Sequence, residues 1–384
     1  MTQADTVAIE RQLADLVRID SRKPNLSEDG PGEAEAATYV AEAMRALGLE
    51  VEQWEAAPGR PNVVGVLRGT GGGRSLMWNA HTDTVGVEGM EAPFTPVVRD
   101  GRLYGRGAQD MKASLVAHLE AIRLLRASGP LAGDVVVAAV ADEEYGSVGT
   151  EALVERYAPD AAIVTEPTDM QLALVHKGFA WVDVTTYGRA AHGSRPAEGI
   201  DAIVRMGRVL SRLEALSRSL QAREGHPLVG APSLHVGQIR GGTAPSVYAA
   251  RCRTRVERRI VPGETPDDAL ADVQTILGGL QAEDDAFEAE AELVFARHPL
   301  QTPADARIAQ TVRDCMGTVM ENEPGPDIGA SFWTDAALLA AAGTETVVLG
   351  PRGAGLHTTE EWVDLASVAQ LAEVLAAAAR QYCG

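Results

Sequence analysis

Four short apolar runs along this chain have the length of buried β-strands, and each one leads to a polar side chain. The runs cover residues 76–80, 135–140, 161–165 and 346–350. Other stretches have apolar residues at the spacing of an amphipathic helix, namely residues 5–20, 33–47 and 111–127. Strands that alternate with helices are typical of a doubly wound α/β layer, which is the fold class predicted for this part of the chain.

A different order of elements begins near residue 178. The pattern predicts a strand, a helix, two strands, a helix and a final strand, at residues 179–187, 199–218, 233–239, 248–258, 266–280 and 287–295. This β-α-β-β-α-β order is that of a ferredoxin-like α+β domain. We therefore predict a smaller inserted domain at 178–296 and a larger domain formed by residues 1–177 and 297–384.

The composition is that of an ordinary globular protein with a strong acidic excess. The 384 residues include 54 acidic and 34 basic side chains, which gives a formal net charge of -20. This charge disfavours binding to nucleic acid phosphates or to an anionic membrane surface, so we expect neither partner. No stretch approaches the ~20 apolar residues of a membrane helix, and the polar start of the chain predicts no signal peptide.

The cysteines indicate the redox compartment. Cys252, Cys315 and Cys383 lie far apart and form no C-x-x-C pair. Such residues are typical of reduced, mostly structural thiols, which predicts a cytoplasmic protein.

The polar residues that follow the apolar runs are candidate metal ligands. In an open α/β sheet, ligands bind outside the carboxyl ends of the strands. At these ends the chain has His81 with Asp83, the run Asp142-Glu143-Glu144, Glu166 before Pro167, and His357 after a glycine-rich turn. Imidazoles and carboxylates at repeated strand ends predict one polar site built from distant segments.

Each of these residues also has a simpler interpretation. His81 suits a surface strand end, and an acidic cluster such as 142–144 is usually a solvated helix start. Asp110, directly before a predicted helix, suits an N-cap, and His357 suits the start of another helix. A cation changes the balance, because it relieves repulsion between neighbouring carboxylates and assigns them different tasks. The residues by themselves leave both interpretations open.

Taken in order, several short segments resemble the M20 family of metallopeptidases and amidohydrolases. They span nearly the whole chain and comprise His81-Thr82-Asp83, Gly105 to Lys112, Asp142 to Gly149, Thr165-Glu166-Pro167-Thr168, Ala191-His192-Gly193-Ser194, Gly241-Gly242-Thr243-Ala244 and His357. Each segment is a weak or moderate match, and their common order makes the signal strong. The resemblance implies a zinc-peptidase-like catalytic domain, with the inserted domain acting as a lid and a dimerisation domain.

The resemblance also implies a set of metal ligands. Asp110 would bridge two zinc ions, with cobalt or manganese as alternative metals. His81 and Glu166 would complete one metal site, and Glu144 and His357 would complete the other.

Catalytic roles follow from the same resemblance. Glu143 would be the general base and Asp83 the partner of the His81 ring. His192 would reach from the lid domain and polarise the scissile carbonyl. In the family, this histidine often acts in the site of the partner subunit. The peptide bond between Asp110 and Met111 is expected to be cis.

The substrate contacts are also assigned by resemblance. Arg259 matches the arginine that holds a substrate carboxylate, with Arg258 as the alternative. Ser246 stands where many relatives have Asn, which changes one substrate contact. Phe332 and Trp333 are bulky where many relatives have small residues, which predicts a narrower or differently shaped pocket.

These parts predict a cytoplasmic homodimeric hydrolase. A metal-activated water would cleave the amide bond of an N-acyl amino acid, as in acetylornithine deacetylase, with Glu143 as general base. The alternative within the family is a dipeptidase or a glutamate-carboxypeptidase-like enzyme. A non-catalytic metal-binding protein is disfavoured, because every expected catalytic position is filled. A nucleotide-dependent enzyme is disfavoured, because no G-x-G-x-x-G turn follows the first strand.

Overall fold

The structure, a computed structural model, describes residues 3–320 and 325–384. The chain divides into two compact units. The first comprises Met1–Leu174, Thr302–Ile328 and Thr334–Gly384, and the second comprises Val175–Gln301 and Gly329–Trp333. The segment Gly329–Trp333, which the sequence pattern assigned to the larger domain, therefore belongs to the second unit.

Most strands are short, and β3, β6 and β7 of the first unit are fully buried. In chain order they are β1 Glu50–Ala57, β2 Arg60–Leu67, β3 Leu76–His81, β4 Val97–Arg99, β5 Arg102–Tyr104, β6 Val135–Val140, β7 Ala161–Val164, β8 Ala173–His176, β9 Gly178–Tyr187, β10 Ser233–Gly241, β11 Arg251–Ile260, β12 Ala289–Arg297, β13 Leu300–Gln301, β14 Ile328–Ala330, β15 Glu345–Val348, β16 Gly353–Ala354 and β17 Trp362–Asp364.

The helices range from one and a half turns to more than five. They are α1 Thr6–Arg18, α2 Ala34–Ala46, α3 Ala113–Ala127, α4 Val148–Val154, α5 Ala202–Gln221, α6 Pro266–Glu283, α7 Arg307–Met320, α8 Ala336–Ala341 and α9 Leu365–Cys383. A five-residue π-helical segment, Ala108–Lys112, leads directly into α3. The Asp110–Met111 peptide bond within it is cis, as expected.

A mixed sheet forms the centre of the first unit. Its strand order is β1-β2-β6-β3-β7-β15-β8, and β6, β3, β7 and β15 run parallel to one another. Every residue of β3, β6 and β7 is buried. Parallel strands covered on both faces need continuous apolar runs, which explains the four runs seen in the sequence. The predicted α/β fold class is confirmed.

Helices of the first unit pack in two groups. Helices α1, α3 and α7 contact α9, whereas α4 contacts α8. Helix α1 begins one residue later than predicted because the side chain of Asp5 caps it, accepting hydrogen bonds from the amides of Val7 and Ala8. A small second sheet, of order β16-β17-β5-β4, contains a hairpin that turns at Asp100-Gly101.

The second unit contains an antiparallel sheet of order β10-β11-β9-β12 with the helices α5 and α6. Its chain order and strand order are those of the ferredoxin-like arrangement. The apolar sides of α5, α6 and the sheet share one core, which includes Val182, Met206, Val256 and Leu280. Helix α5 starts at Ala202 rather than at 199, because Asp201 caps it.

The three cysteines are buried and form no disulfide. Within residues 3–320 and 325–384, no helix combines the length and hydropathy that crossing a membrane requires.

Helix α1 provides a test of the core. Leu13 is fully buried and Val7, on the same helix, is 78% exposed. We predict that Leu13→Ala lowers the free energy of unfolding by about 2–5 kcal/mol, because it leaves a cavity. Val7→Ala should change it by less than about 0.5 kcal/mol. Urea unfolding monitored by circular dichroism measures both values, and equal effects would contradict the packing of α1.

Candidate metal centre

One group of possible metal ligands gathers at the carboxyl ends of β3 and β7. His81 is the last residue of β3, and Glu166 follows β7 by two residues. The His81 Nε2 atom lies 3.0 Å from Asp110 Oδ1 and 3.8 Å from Glu166 Oε1. One ligand atom from each of these three residues lies within 4.8 Å of the others. The site is therefore a compact set of one imidazole and two carboxylates.

A second group shares Asp110 with the first. The His357 Nε2 atom lies 3.3 Å from Asp110 Oδ2 and 3.1 Å from Glu144 Oε2. The two carboxylate oxygens of Asp110 thus face different histidines, since Oδ1 faces His81 and Oδ2 faces His357. The structure brings together all five residues that the sequence analysis named as metal ligands, with Asp110 between the two groups.

Burial makes this cluster of acids electrostatically costly. Burial raises the pKa of Glu143 and of Glu166 well above the usual range, and repulsion from neighbouring carboxylates adds to it. The pKa of Glu144 rises to about 7 for the same reasons. The hydrogen bonds that His357 makes with Asp110 and Glu144 raise the pKa of His357 to about 10. Without cations, the site relies on protons to balance its negative charge.

The donor set fits divalent cations. Imidazole nitrogens and carboxylate oxygens are ordinary zinc ligands. The buried Oε1 atom of Glu144 has no hydrogen-bond partner among the described residues, although such atoms are normally satisfied. The Nδ1 atom of His81 donates to the backbone carbonyl of Asp83 at 3.0 Å, so Nε2, which faces Asp110 and Glu166, is the ring nitrogen that a metal would take in place of its proton. The group of His81 and the group of His357 could therefore hold one cation each.

Asp83 supports the centre differently from the sequence prediction. The atom that bonds the His81 ring is the backbone carbonyl of Asp83, whereas the Asp83 carboxylate lies 3.6 Å from that ring. The carboxylate instead accepts hydrogen bonds from the backbone amides of Glu143 and Glu144, at 3.2 and 3.1 Å. The Asp83 carbonyl therefore meets the His81 ring, while the Asp83 side chain reaches the turn that follows the neighbouring strand β6.

The turn that carries Glu143 and Glu144 is anchored from the other side as well. Asp142 has a φ of 72°, and its carbonyl accepts hydrogen bonds from the amides of Gly146 and Ser147. Its buried carboxylate forms an ion pair with Lys23, a fully buried residue of the amino-terminal segment. The acidic cluster is therefore a tight, partly buried turn rather than a solvated helix start.

The sequence analysis missed two buried acids near the centre. Asp335 accepts a hydrogen bond from the hydroxyl of Thr150 at 2.6 Å, and burial raises its pKa to about 6. Glu361 is 1% exposed and accepts hydrogen bonds from backbone amides around Asp110. The only available signal for Glu361 was its position four residues after His357, which is too weak by itself.

His192 and Ser246 lie side by side in the second unit. The two loops are joined by a backbone hydrogen bond from Gly193 to the carbonyl of Ser246, 2.7 Å long, and by a bridge between His192 and Val247. Both residues are exposed. His192 and Ser246 belong to separate sequence motifs, and the structure places them in adjacent loops of this unit.

The two candidate arginines differ sharply in their surroundings. The side chain of Arg258 is 1% exposed and binds Glu264 at 2.6 Å, so its charge is used inside the second unit. The side chain of Arg259 is 31% exposed, pairs with Glu257 at 2.7 Å and lies over the ring of Phe179. Of the two, Arg259 is the guanidinium that a ligand can reach.

Trp333 is packed within the second unit rather than free. Its indole nitrogen donates to the carbonyl of His298 at 3.0 Å, and its ring meets those of His176 and Phe179 edge-on. Phe332 beside it is 36% exposed.

Comparison with known proteins agrees with this fold. Residues 77–381 match the Peptidase family M20/M25/M40. The chain is 33% identical to an acetylornithine deacetylase of Myxococcus xanthus, over 99% of both chains. It is 29% identical to the N-formyl-4-amino-5-aminomethyl-2-methylpyrimidine deformylase of Bacillus subtilis, over 88% of this chain and 85% of that one.

A solved structure of similar fold is the aminopeptidase PepT of Bacillus cereus. It has a TM-score of 0.81 and 21% identity, over 99% of this chain and 100% of that one. The family match over most of the chain defines the class, which is that of hydrolases acting on amide or peptide bonds. The protein belongs to the Peptidase family M20/M25/M40, which confirms the resemblance seen in its motifs.

The amide clamp made by Asp83 can be tested directly. We predict that Asp83→Asn weakens metal binding or activity by about 10- to 100-fold, as is typical when a residue supporting metal ligands is altered. The reason is that an Asn side chain has one acceptor oxygen for two amide donors. Calorimetric zinc titration and steady-state kinetics measure the effect.

The matched control is Asp100→Asn, in the exposed hairpin turn. A result for Asp83→Asn that matches this control would show that the clamp has no functional role.

Proposed function

We propose that this protein is a dinuclear zinc amidohydrolase that cleaves the amide bond of an N-acyl amino acid, in the manner of an acetylornithine deacetylase. The observation that carries the proposal is the position of Asp110, whose two oxygens face separate histidine–carboxylate groups. His81 and Glu166 would bind one ion, and Glu144 and His357 the other. Cobalt or manganese would suit the same donors.

The ions, when bound, would lower the pKa of water and polarise a carbonyl group. The chain itself supplies proton transfer. Burial raises the pKa of Glu143, and a carboxylate whose pKa lies nearer neutrality accepts and returns a proton with less cost. Glu143 would accept a proton from the attacking water and deliver it to the leaving nitrogen.

Residues of the second unit would recognise the substrate. Arg259 would bind the substrate carboxylate, because its guanidinium is accessible while that of Arg258 is buried. His192 would donate a hydrogen bond to the developing oxyanion, where donors contribute most to catalysis. The loop of Ser246 would lie beside the same substrate.

The relatives support an N-acyl substrate. The Myxococcus protein is named as a deacetylase and the Bacillus protein as a deformylase, and both removals act on an amide nitrogen. A dipeptidase or carboxypeptidase activity is the alternative within the family.

The proposal extends to the assembly and the location of the protein. We infer a homodimer formed through the second unit, as the family resemblance implies. The buried, unpaired cysteines agree with a cytoplasmic location.

A hydrolysis screen on the zinc-loaded protein tests the function. We expect turnover of acetyl-ornithine or another N-acyl amino acid, ahead of succinyl-diaminopimelate and dipeptides. Glu143→Ala should keep both metals and lose about 100- to 10,000-fold in kcat, since general-base catalysis contributes about that much. Faster turnover of dipeptides would favour the alternative. Full zinc occupancy without any hydrolysis would reject the enzyme proposal.

The arginine assignment makes a separate prediction. Arg259→Met should raise KM by about 10- to 100-fold with a smaller change in kcat, because a charged hydrogen bond contributes about 1.5–3 kcal/mol. Arg258→Met should instead reduce stability, since Glu264 would be left without its buried partner. Kinetics and thermal unfolding of both variants separate the two roles, and an unchanged KM in Arg259→Met would contradict the assignment.

A further inference from the structure

Asp110 stands in a loop whose backbone amides point at one buried carboxylate. Glu361 Oε1 accepts hydrogen bonds from the amides of Gln109 and Asp110, at 2.9 and 3.1 Å. Glu361 Oε2 accepts one from the amide of Gly107 at 3.0 Å. The Glu361 side chain has no exposed surface. One carboxylate therefore satisfies three amides of the loop that presents Asp110.

Arg106 extends this contact to the loop of His357. Its guanidinium binds Glu361 Oε2 at 2.7 Å. The same group donates to the carbonyl of Thr358 at 2.8 Å and to that of Gly86 at 3.0 Å. Thr358 directly follows His357 in sequence. A buried ion pair thus connects the loop of Asp110 with the loop of His357.

The need for such a connection follows from the two loops themselves. Asp110 and His357 are 247 positions apart and come from irregular segments rather than from strands of the main sheet. His357 has a φ of 59° and a side chain that is 54% exposed, so little packing holds it. Its 3.3 Å approach to Asp110 must therefore be set by contacts between the loops.

Resting on the dinuclear site proposed above, we propose that Glu361, together with Arg106, is a positioning residue that places Asp110 against His357. It touches neither substrate nor metal. Its carboxylate orients the backbone of Asp110, and its ion pair with Arg106 sets the distance between the two loops. Because Asp110 is shared, both metal sites depend on Glu361. The site containing His357 depends on Glu361 for the orientation of Asp110 and also for the distance between the two loops.

The test is zinc titration of the metal-free full-length protein by calorimetry with a competing chelator. For Glu361→Gln we expect both zinc affinities to fall by about 10- to 100-fold, with the larger loss at the binding event that His357→Ala abolishes. Gln keeps the shape of Glu but places a donor NH2 group against amide donors. Circular dichroism should show the metal-free variant folded at the temperature of the titration.

The matched control is Glu360→Gln, at the adjacent exposed position, which should bind zinc within twofold of the unaltered protein. Equal affinities for Glu361→Gln and Glu360→Gln would overturn the positioning role. A purely structural role would lower thermal stability and leave the zinc affinities unchanged, which also overturns it.

Arg106→Lys provides a second variant if Glu361→Gln does not fold. It keeps a charge for Glu361 but cannot reach both carbonyls, so we expect a loss confined to the zinc site that contains His357. No loss at that site would overturn the proposal. If the unaltered protein binds no zinc, the proposed function is rejected, and the positioning role that rests on it is rejected as well. If it binds two ions and neither variant differs from its control, only the positioning role fails.

Discussion

The constraint on which this structure depends is the crowding of buried carboxylates around Asp110. Glu143, Glu144 and Glu166 all have pKa values raised by burial, and each adds to the repulsion felt by others. A protein retains such a cluster only when something compensates it, because an unpaired buried charge is strongly unfavourable. Two imidazoles provide part of the compensation, and two cations would provide the rest.

The rest of the first unit serves to hold those acids in place. Parallel strands bring His81, Glu144 and Glu166 to one edge of the sheet, since the carboxyl ends of parallel strands meet there. The finer placement comes from carboxylates that accept backbone amides. Asp83 holds the turn of Glu143 and Glu144 in this way, and Glu361 holds the loop of Asp110. The carboxylates of Asp83 and Glu361 thus orient the backbone that carries the candidate metal ligands.

The second unit places two arginines of one strand in different surroundings. Arg258 and Arg259 are adjacent on β11, so their side chains leave opposite faces of the sheet. Arg258 is directed toward Glu264 and Asp272 and is buried. Arg259 lies on the other face, over Phe179. Alternation along the strand therefore decides which of two identical residues can meet a ligand.

The sequence by itself determined the fold class, the order of both sets of elements and the five candidate ligands. Long apolar runs and ordered motifs are local signals, and they persist without knowledge of what surrounds them. Only the tertiary structure decided which atom of Asp83 contacts His81, that Arg258 is buried, and that Glu361 supports Asp110 across 251 positions of sequence. These facts depend on how distant loops approach one another. No local spacing encodes that approach, because it arises from the packing of the whole unit.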